Sequence, residues 1–297
     1  MSPLRETTIE ARGMRFGALE AGEPEGHLVL CLHGFPDSAW TWRRLLLALA
    51  DAGHHAVAPF MRGYAPTDLP EGEVRIADLV ADLLALEEVL RGTERGTSVA
   101  IGHDWGAAVV HVALETEPRR WACAVTESVP PPAGFSIEAI SPAQLHRSWY
   151  SFLFQLPDAS VPEHLVGKDD LALIDELWRD WSPGLEAPDE IGRAKDALRP
   201  PGRLRAAIGY YRGAPTSVPS RAEAEASREA LARLEVPLLY LHGADDGCIG
   251  VDTLEARRPF FPPAMRAVVL ESIGHFVHLE RPDEINRLVL DFLAEHT

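Results

Sequence analysis

The run Gly102-His103-Asp104-Trp105-Gly106 constrains this chain more than any other stretch. It follows the apolar segment Ser98-Val99-Ala100-Ile101 and precedes a helix-compatible run from Ala107 to Glu117. A strand, a sharp turn and a helix, with glycine two places either side of the central residue, describe a nucleophile elbow. Such a turn strains the central backbone and lifts its side chain clear of the sheet. Gly102 and Gly106 are needed because a Cβ at either would meet the neighbouring strand or the helix backbone. The central residue is Asp104, where such turns commonly carry serine. A serine alkoxide attacks acyl carbon, whereas a carboxylate is suited to displacing a leaving group from saturated carbon.

Around the elbow, strand-like and helix-like segments alternate. His27 to Leu32 is a continuous apolar run, as a strand buried on both faces should be. A helix is expected from about Trp40 to Ala52, a strand from His54 to Pro59 and a helix from about Val74 to Arg91. In that helix Ile76, Leu79, Val80, Leu83, Leu84, Leu86 and Leu90 recur at helical spacing. After the elbow comes a strand from Trp121 to Thr126. The rhythm implies a parallel sheet with helices on both faces. It breaks at Pro130-Pro131-Pro132 and resumes with strands at Val236 to Leu241 and Met265 to Leu270 and a helix from about Pro282 to Ala294. The expected organisation is an α/β core over residues 1–130 and 220–297, interrupted by a mostly helical insertion over 131–219. The charge-rich stretch Arg221 to Arg233 reads as a solvated helix.

Composition narrows the partners. The chain of 297 residues carries 28 basic and 45 acidic residues, a formal charge of −17, which repels phosphate backbones and anionic membranes and argues against nucleic acid. Met1 to Glu10 is polar, without the apolar core of a signal peptide, and no apolar run reaches membrane-spanning length. Three cysteines cannot all pair. Cys31 and Cys123 sit in apolar runs as small core residues do, so a reduced, cytoplasmic protein is expected. No cysteine–histidine spacing resembles a metal site.

Four motifs, His33-Gly34-Phe35-Pro36, Arg62-Gly63-Tyr64, the Asp104 elbow and Gly274-His275-Phe276, resemble those of α/β-hydrolase-fold epoxide hydrolases over nearly the whole chain. The resemblance implies an α/β-hydrolase core with a mostly parallel sheet and an inserted helical cap. It implies the chain order nucleophile, acid, histidine, hence Asp104 as nucleophile and His275 as base. The acid is Asp246, in Gly243-Ala244-Asp245-Asp246, with Glu127 as a rival at the end of the strand after the elbow helix. His103, His111 and His278 are assigned structural or exposed roles. The N–H groups of Phe35 and Trp105 are the implied oxyanion donors. From the cap, Tyr150 and Tyr211 match the two tyrosines that hold the epoxide oxygen, with Tyr210 an alternative to Tyr211.

The implied reaction forms an alkyl ester on Asp104 and hydrolyses it with His275-activated water, without metal or organic cofactor. Phe35, Trp105, Trp149, Phe154 and Phe276 suggest an apolar pocket and hence a small apolar epoxide. The chain departs from the family's pattern at Ala65, where glycine is common, and at Asp37, where glutamate is frequent. An aspartate elbow also serves haloalkane dehalogenases, and the Trp105 indole could hold a halide. Their frequent second donor, an asparagine, is Phe35 here, although Trp149, Trp178 or Trp181 could substitute. Trp105 argues against a fluoroacetate dehalogenase, which carries arginine after the nucleophile. A non-catalytic ligand-binding α/β-hydrolase is the alternative from another functional class; its kind usually loses part of the catalytic set, which is intact here.

Overall fold

A computed structural model describes residues 3–92, 96–131, 141–213 and 228–297. Its centre is an eight-stranded sheet: β1 (Arg5–Ala11), β2 (Met14–Ala21), β3 (His27–Leu32), β4 (His54–Pro59), β5 (Ser98–His103), β6 (Trp121–Glu127), β7 (Leu238–Gly243) and β8 (Met265–Leu270). The spatial order is β1-β2-β4-β3-β5-β6-β7-β8. β2 pairs antiparallel with β1 and with β4, and all other neighbours are parallel. Every residue of β5 and β7 is buried, as strands covered on both faces must be. The packing helices include α1 (Arg43–Asp51), α2 (Ile76–Arg91) and α3 (Trp105–Thr116).

The sequence reading contained neither N-terminal strand, and for the edge strand β1 the reason is physical. Only Ile9 and Ala11 of β1 are buried, so the edge strand Arg-Glu-Thr-Thr-Ile-Glu-Ala lacks a continuous apolar face. The helix expected from Trp40 divides into a 3-10 turn, Ala39–Trp42, followed by α1.

The strand order turns back at β3 and β5, and the loops leaving their carboxyl ends open the crevice where such sheets bind ligands. Between β6 and β7 the described residues carry helices: α4 (Pro142–Arg147), α5 (Trp149–Phe154), α6 (Ser160–Trp181), α7 (Pro188–Leu198) and α8 (Arg203–Gly213). Ser141 caps α4 by accepting the Gln144 N–H at 3.0 Å, with Pro142 at the first helical position. α6 is interrupted at Lys168–Leu171, where Asp169, Asp170 and Leu171 take positive φ. Of the expected insertion, residues 132–140 and 214–219 lie outside the described residues. So do residue 220 and residues 221–227 of the charge-rich stretch.

Hydrogen bonds fasten these helices to the core loops. The Trp178 indole donates to Pro36 O at 2.8 Å, and the Tyr210 hydroxyl donates to Arg62 O at 2.6 Å. The Trp181 carbonyl accepts from Gly247 and His275 N–H at 3.1 and 3.0 Å. Among the described residues no helix is long and apolar enough to cross a membrane.

The elbow's glycines are sterically required. A Cβ on Gly102 would lie 2.4 Å from the Gly106 backbone, and one on Gly106 would lie 2.1 Å from Leu32 O in β3. Both contacts are with backbone, which cannot swing aside. Gly106→Ala is therefore expected to lower stability by about 1–3 kcal/mol, the cost of forcing atoms into a filled core. Urea denaturation checks this, through a lower midpoint with an unchanged slope.

Candidate active site

Asp104 closes β5 and caps the N-terminus of α3 with φ +52° and ψ −117°, a backbone state that a non-glycine residue holds only where its surroundings force it. Its Oδ1 accepts the Phe35 N–H at 2.8 Å. That approach depends on Gly34, where a Cβ would fall 2.3 Å from Asp104 Oδ1. Trp105 begins α3, so its amide belongs to the helix's exposed first turn.

His275, in the loop after β8, is buried and lies between two carboxylates. Its Nδ1 is 2.9 Å from Asp246 Oδ2, and its Nε2 is 3.7 Å from Asp104 Oδ2 without a hydrogen-bond partner. Burial lowers the His275 pKa, but attraction from Asp246, the nearby Asp104 carboxylate and the hydrogen bond with Asp246 outweigh it, raising the pKa to about 10. Asp246 is itself fixed by its own loop: Oδ1 accepts the N–H groups of Cys248 and Ile249 at 2.7 and 2.8 Å.

The geometry separates the two candidate acids. Asp246 meets His275, whereas Glu127 Oε2 lies 2.7 Å from Nδ1 of buried His278. The His278 ring stacks on Trp42 with centroids 4.5 Å apart. His103 lies between the two histidines, 4.7 Å from the His275 ring and 4.8 Å from that of His278, and its Nε2 donates to His275 O at 3.0 Å. Burial, then repulsion from His275, holds the His103 pKa well below the ordinary histidine value. His111 is also buried and donates from Nε2 to Val129 O at 3.0 Å.

The helices between β6 and β7 bring two phenols to the cavity that Asp104 borders. Tyr150 and Tyr211 are buried with ring centroids 5.7 Å apart, and both line a cavity of about 270 Å³ together with Asp104, Trp105, Cys248 and Ile249. The Tyr211 hydroxyl lies near Trp105 and Tyr150 without closing a hydrogen bond to either. Burial first, then neighbouring acidic groups including Asp104, pushes both phenols well above their ordinary pKa, so each keeps its proton. Tyr210 instead spends its hydroxyl on Arg62 O and packs against Tyr64 at 6.0 Å.

Of the five aromatic residues expected to line the pocket, Trp105 lines this cavity and four occupy other positions. Phe35 and Phe154 brace Tyr211 edge to face at 5.4 and 5.0 Å. Phe276 is stacked on Trp178 at 3.8 Å, and Trp149 is 42% exposed. The cavity runs instead past the loop after β7 toward the helix α9 (Val251–Arg257), which contributes Thr253, Ala256 and Arg257. The sequence reading missed these residues, as it missed Gln144, whose side chain holds Cys248 O at 2.8 Å and Gly250 N–H at 2.9 Å. Cys248 had one legible signal, its place two residues beyond Asp246.

Residues 27–282 match the alpha/beta hydrolase fold family. The chain is 30% identical to mouse epoxide hydrolase 3, over 97% of this chain and 76% of that protein. It is 29% identical to epoxide hydrolase A of Mycobacterium tuberculosis, over 97% of both. The crystal structure of epoxide hydrolase A from Mycobacterium thermoresistibile superposes with a TM-score of 0.79 at 28% identity, covering 98% of each chain.

The contrast between the two buried acid–histidine pairs yields a direct expectation. Asp246→Asn, which deprives His275 of its anionic partner, should lower kcat by about 10⁴-fold, the order seen when a catalytic histidine loses its carboxylate. Glu127→Gln should lower kcat by less than about tenfold. Steady-state kinetics of the two variants decide it, and equal losses would contradict the pairing of Asp246 with His275.

Proposed function

The chain belongs to the α/β-hydrolase fold family, and from that premise we propose that it is an epoxide hydrolase converting a small apolar epoxide to a vicinal diol. One observation carries the reading: the Asp104 carboxylate and the Tyr150 and Tyr211 rings border one cavity, with His275 beside the carboxylate. The helices from α4 to α8 act as a cap that supplies both phenols.

Asp104 Oδ2, the oxygen not engaged by Phe35, attacks an epoxide carbon and the ring C–O bond breaks. Tyr150 and Tyr211 donate to the departing oxygen, and one phenolic proton neutralises the alkoxide; the imidazolium of His275 returns a proton to the phenolate and is left neutral. Oδ1 becomes the ester carbonyl with the Phe35 N–H already on it. His275 then takes a proton from water, whose oxygen attacks that carbonyl. The oxyanion forms against the N–H groups of Phe35 and Trp105, the latter at a helix N-terminus that favours negative charge. Collapse expels the second diol oxygen as an alkoxide, which takes the proton of the new carboxyl group; the diol leaves, the Asp104 carboxylate is restored and His275 is protonated as at the start.

The first step prepares the second. Asp104 is one of the groups that raise His275, and as a neutral ester it no longer attracts the imidazolium. The His275 pKa therefore falls once the ester forms, turning a protonated bystander into a base. The Tyr211 hydroxyl, buried without a hydrogen-bond partner among the described residues, supports epoxide opening over halide displacement. So does the Trp178 indole, whose N–H is committed to Pro36 O.

Three outcomes follow from this chemistry. His275→Gln incubated with styrene oxide should accumulate a covalent adduct on the peptide containing Asp104, read by mass spectrometry; an unmodified peptide would contradict the scheme. The double variant Tyr150→Phe, Tyr211→Phe should lose about 10²–10⁴-fold in kcat/KM for epoxides, the contribution that positioned acids make. In single-turnover experiments, ester hydrolysis should rise with pH through a base titrating below the value of about 10 held in the free enzyme. A midpoint at or above that value would contradict the coupling.

A further inference from the structure

We propose that the pocket is also an inhibitory site for a soft divalent cation of the zinc class, ligated by Cys248 Sγ, His275 Nε2 and one oxygen of Asp104. The three donor atoms lie within 4.8 Å of one another, although their residues come from three separate loops. Thiolate, imidazole and carboxylate together form a donor set suited to Zn²⁺, and three protein ligands leave the fourth tetrahedral position to water. Bonds of about 2.0–2.3 Å to one ion require the three donors to close in from these separations.

Two further observations point to a ligand. His275 is fully buried, and its Nε2 faces Asp104 and has no hydrogen-bond partner among the described residues. Its Nδ1 is oriented by Asp246, the carboxylate–histidine arrangement that fixes metal-binding imidazoles. Cys248 and Asp104 both line the cavity, so the cation enters where substrate does. The Cys248 sulfur shares a hydrogen bond with Tyr150 at 3.2 Å, which ligation would replace. As the metal enters, the Cys248 thiol and the His275 imidazolium each release a proton to solvent.

A second cluster, Asp37, His103 and His278, brings donor atoms equally close. It does not border the cavity, and both His278 nitrogens are engaged, by Glu127 and Thr41. The site at Cys248 escapes any search for cysteine–histidine spacing because residues 104, 248 and 275 are far apart in sequence. Its occupation would remove the nucleophile and the base together.

The test titrates the chelator-stripped protein with Zn²⁺ by calorimetry, without substrate, so it stands apart from the epoxide reading. One equivalent should bind, and Co²⁺ in its place should give thiolate-to-cobalt charge-transfer absorption. Cys248→Ala and the isosteric Cys248→Ser should each weaken zinc binding at least about 100-fold and abolish that absorption, while Cys31 and Cys123 remain as internal controls. Zinc affinity unchanged in both variants, a cobalt band that survives them, or no binding tighter than millimolar would overturn the proposal. Turnover retained at full zinc occupancy would overturn the inhibitory role.

Discussion

Burying charge without partners costs more than apolar packing returns, and this constraint organises the molecule. Asp104, Asp246 and His275 are all buried, and each is tolerated because the others and a few backbone N–H groups surround it. The Asp246 loop must bend so that two amides reach one carboxylate oxygen. The Asp104 turn must be strained so that its carboxylate leaves the sheet toward Phe35 and His275. The tight glycines at 34, 102 and 106 are consequences of the same demand, since each lets backbone approach closely enough to hold these groups.

The helices over the sheet share in that restraint. The Trp181 carbonyl holds the amides of Gly247 and His275, one in the Asp246 loop and one at the histidine itself. The helical segment that brings Tyr150 to Asp104 thus also fixes the Asp246–His275 pair beneath it. Aromatic edges then exclude water: Phe35, Phe154 and Trp105 surround the Tyr211 ring at 5.0–5.4 Å. In such a buried setting a phenol keeps its proton, and hydrogen bonds to a developing alkoxide gain strength.

Much of this was legible in the sequence because it rests on local rules. β3, β4 and β8 and the C-terminal helix Pro282–Ala294 match the boundaries read from their apolar patterns and proline position. The elbow could be read because its two glycines flank the central residue at a fixed spacing, although the steric need at Gly106 comes from β3. The edge strand β1 could not, because solvent covers too much of it to leave a pattern. Pocket lining was least legible. Phe276 and Phe154 are as apolar as lining residues should be, yet they are spent on stacking against Trp178 and bracing Tyr211. Chain composition does not reveal which side of an aromatic ring faces a cavity. Cys248, Gln144 and Arg257 reach the cavity through the packing of a loop and two short helices that carry no periodic signal.

The central claim is that Asp104, not water, makes the first bond to substrate. A single turnover in ¹⁸O-labelled water with enzyme in excess tests it most directly. Water that attacks the ester carbonyl leaves its oxygen in the Asp104 carboxylate, and the first diol released carries none. Label in the peptide containing Asp104 and an unlabelled diol is the expected result. Label in the diol with an unlabelled Asp104 would mean that water attacks the epoxide directly, which contradicts the ester route.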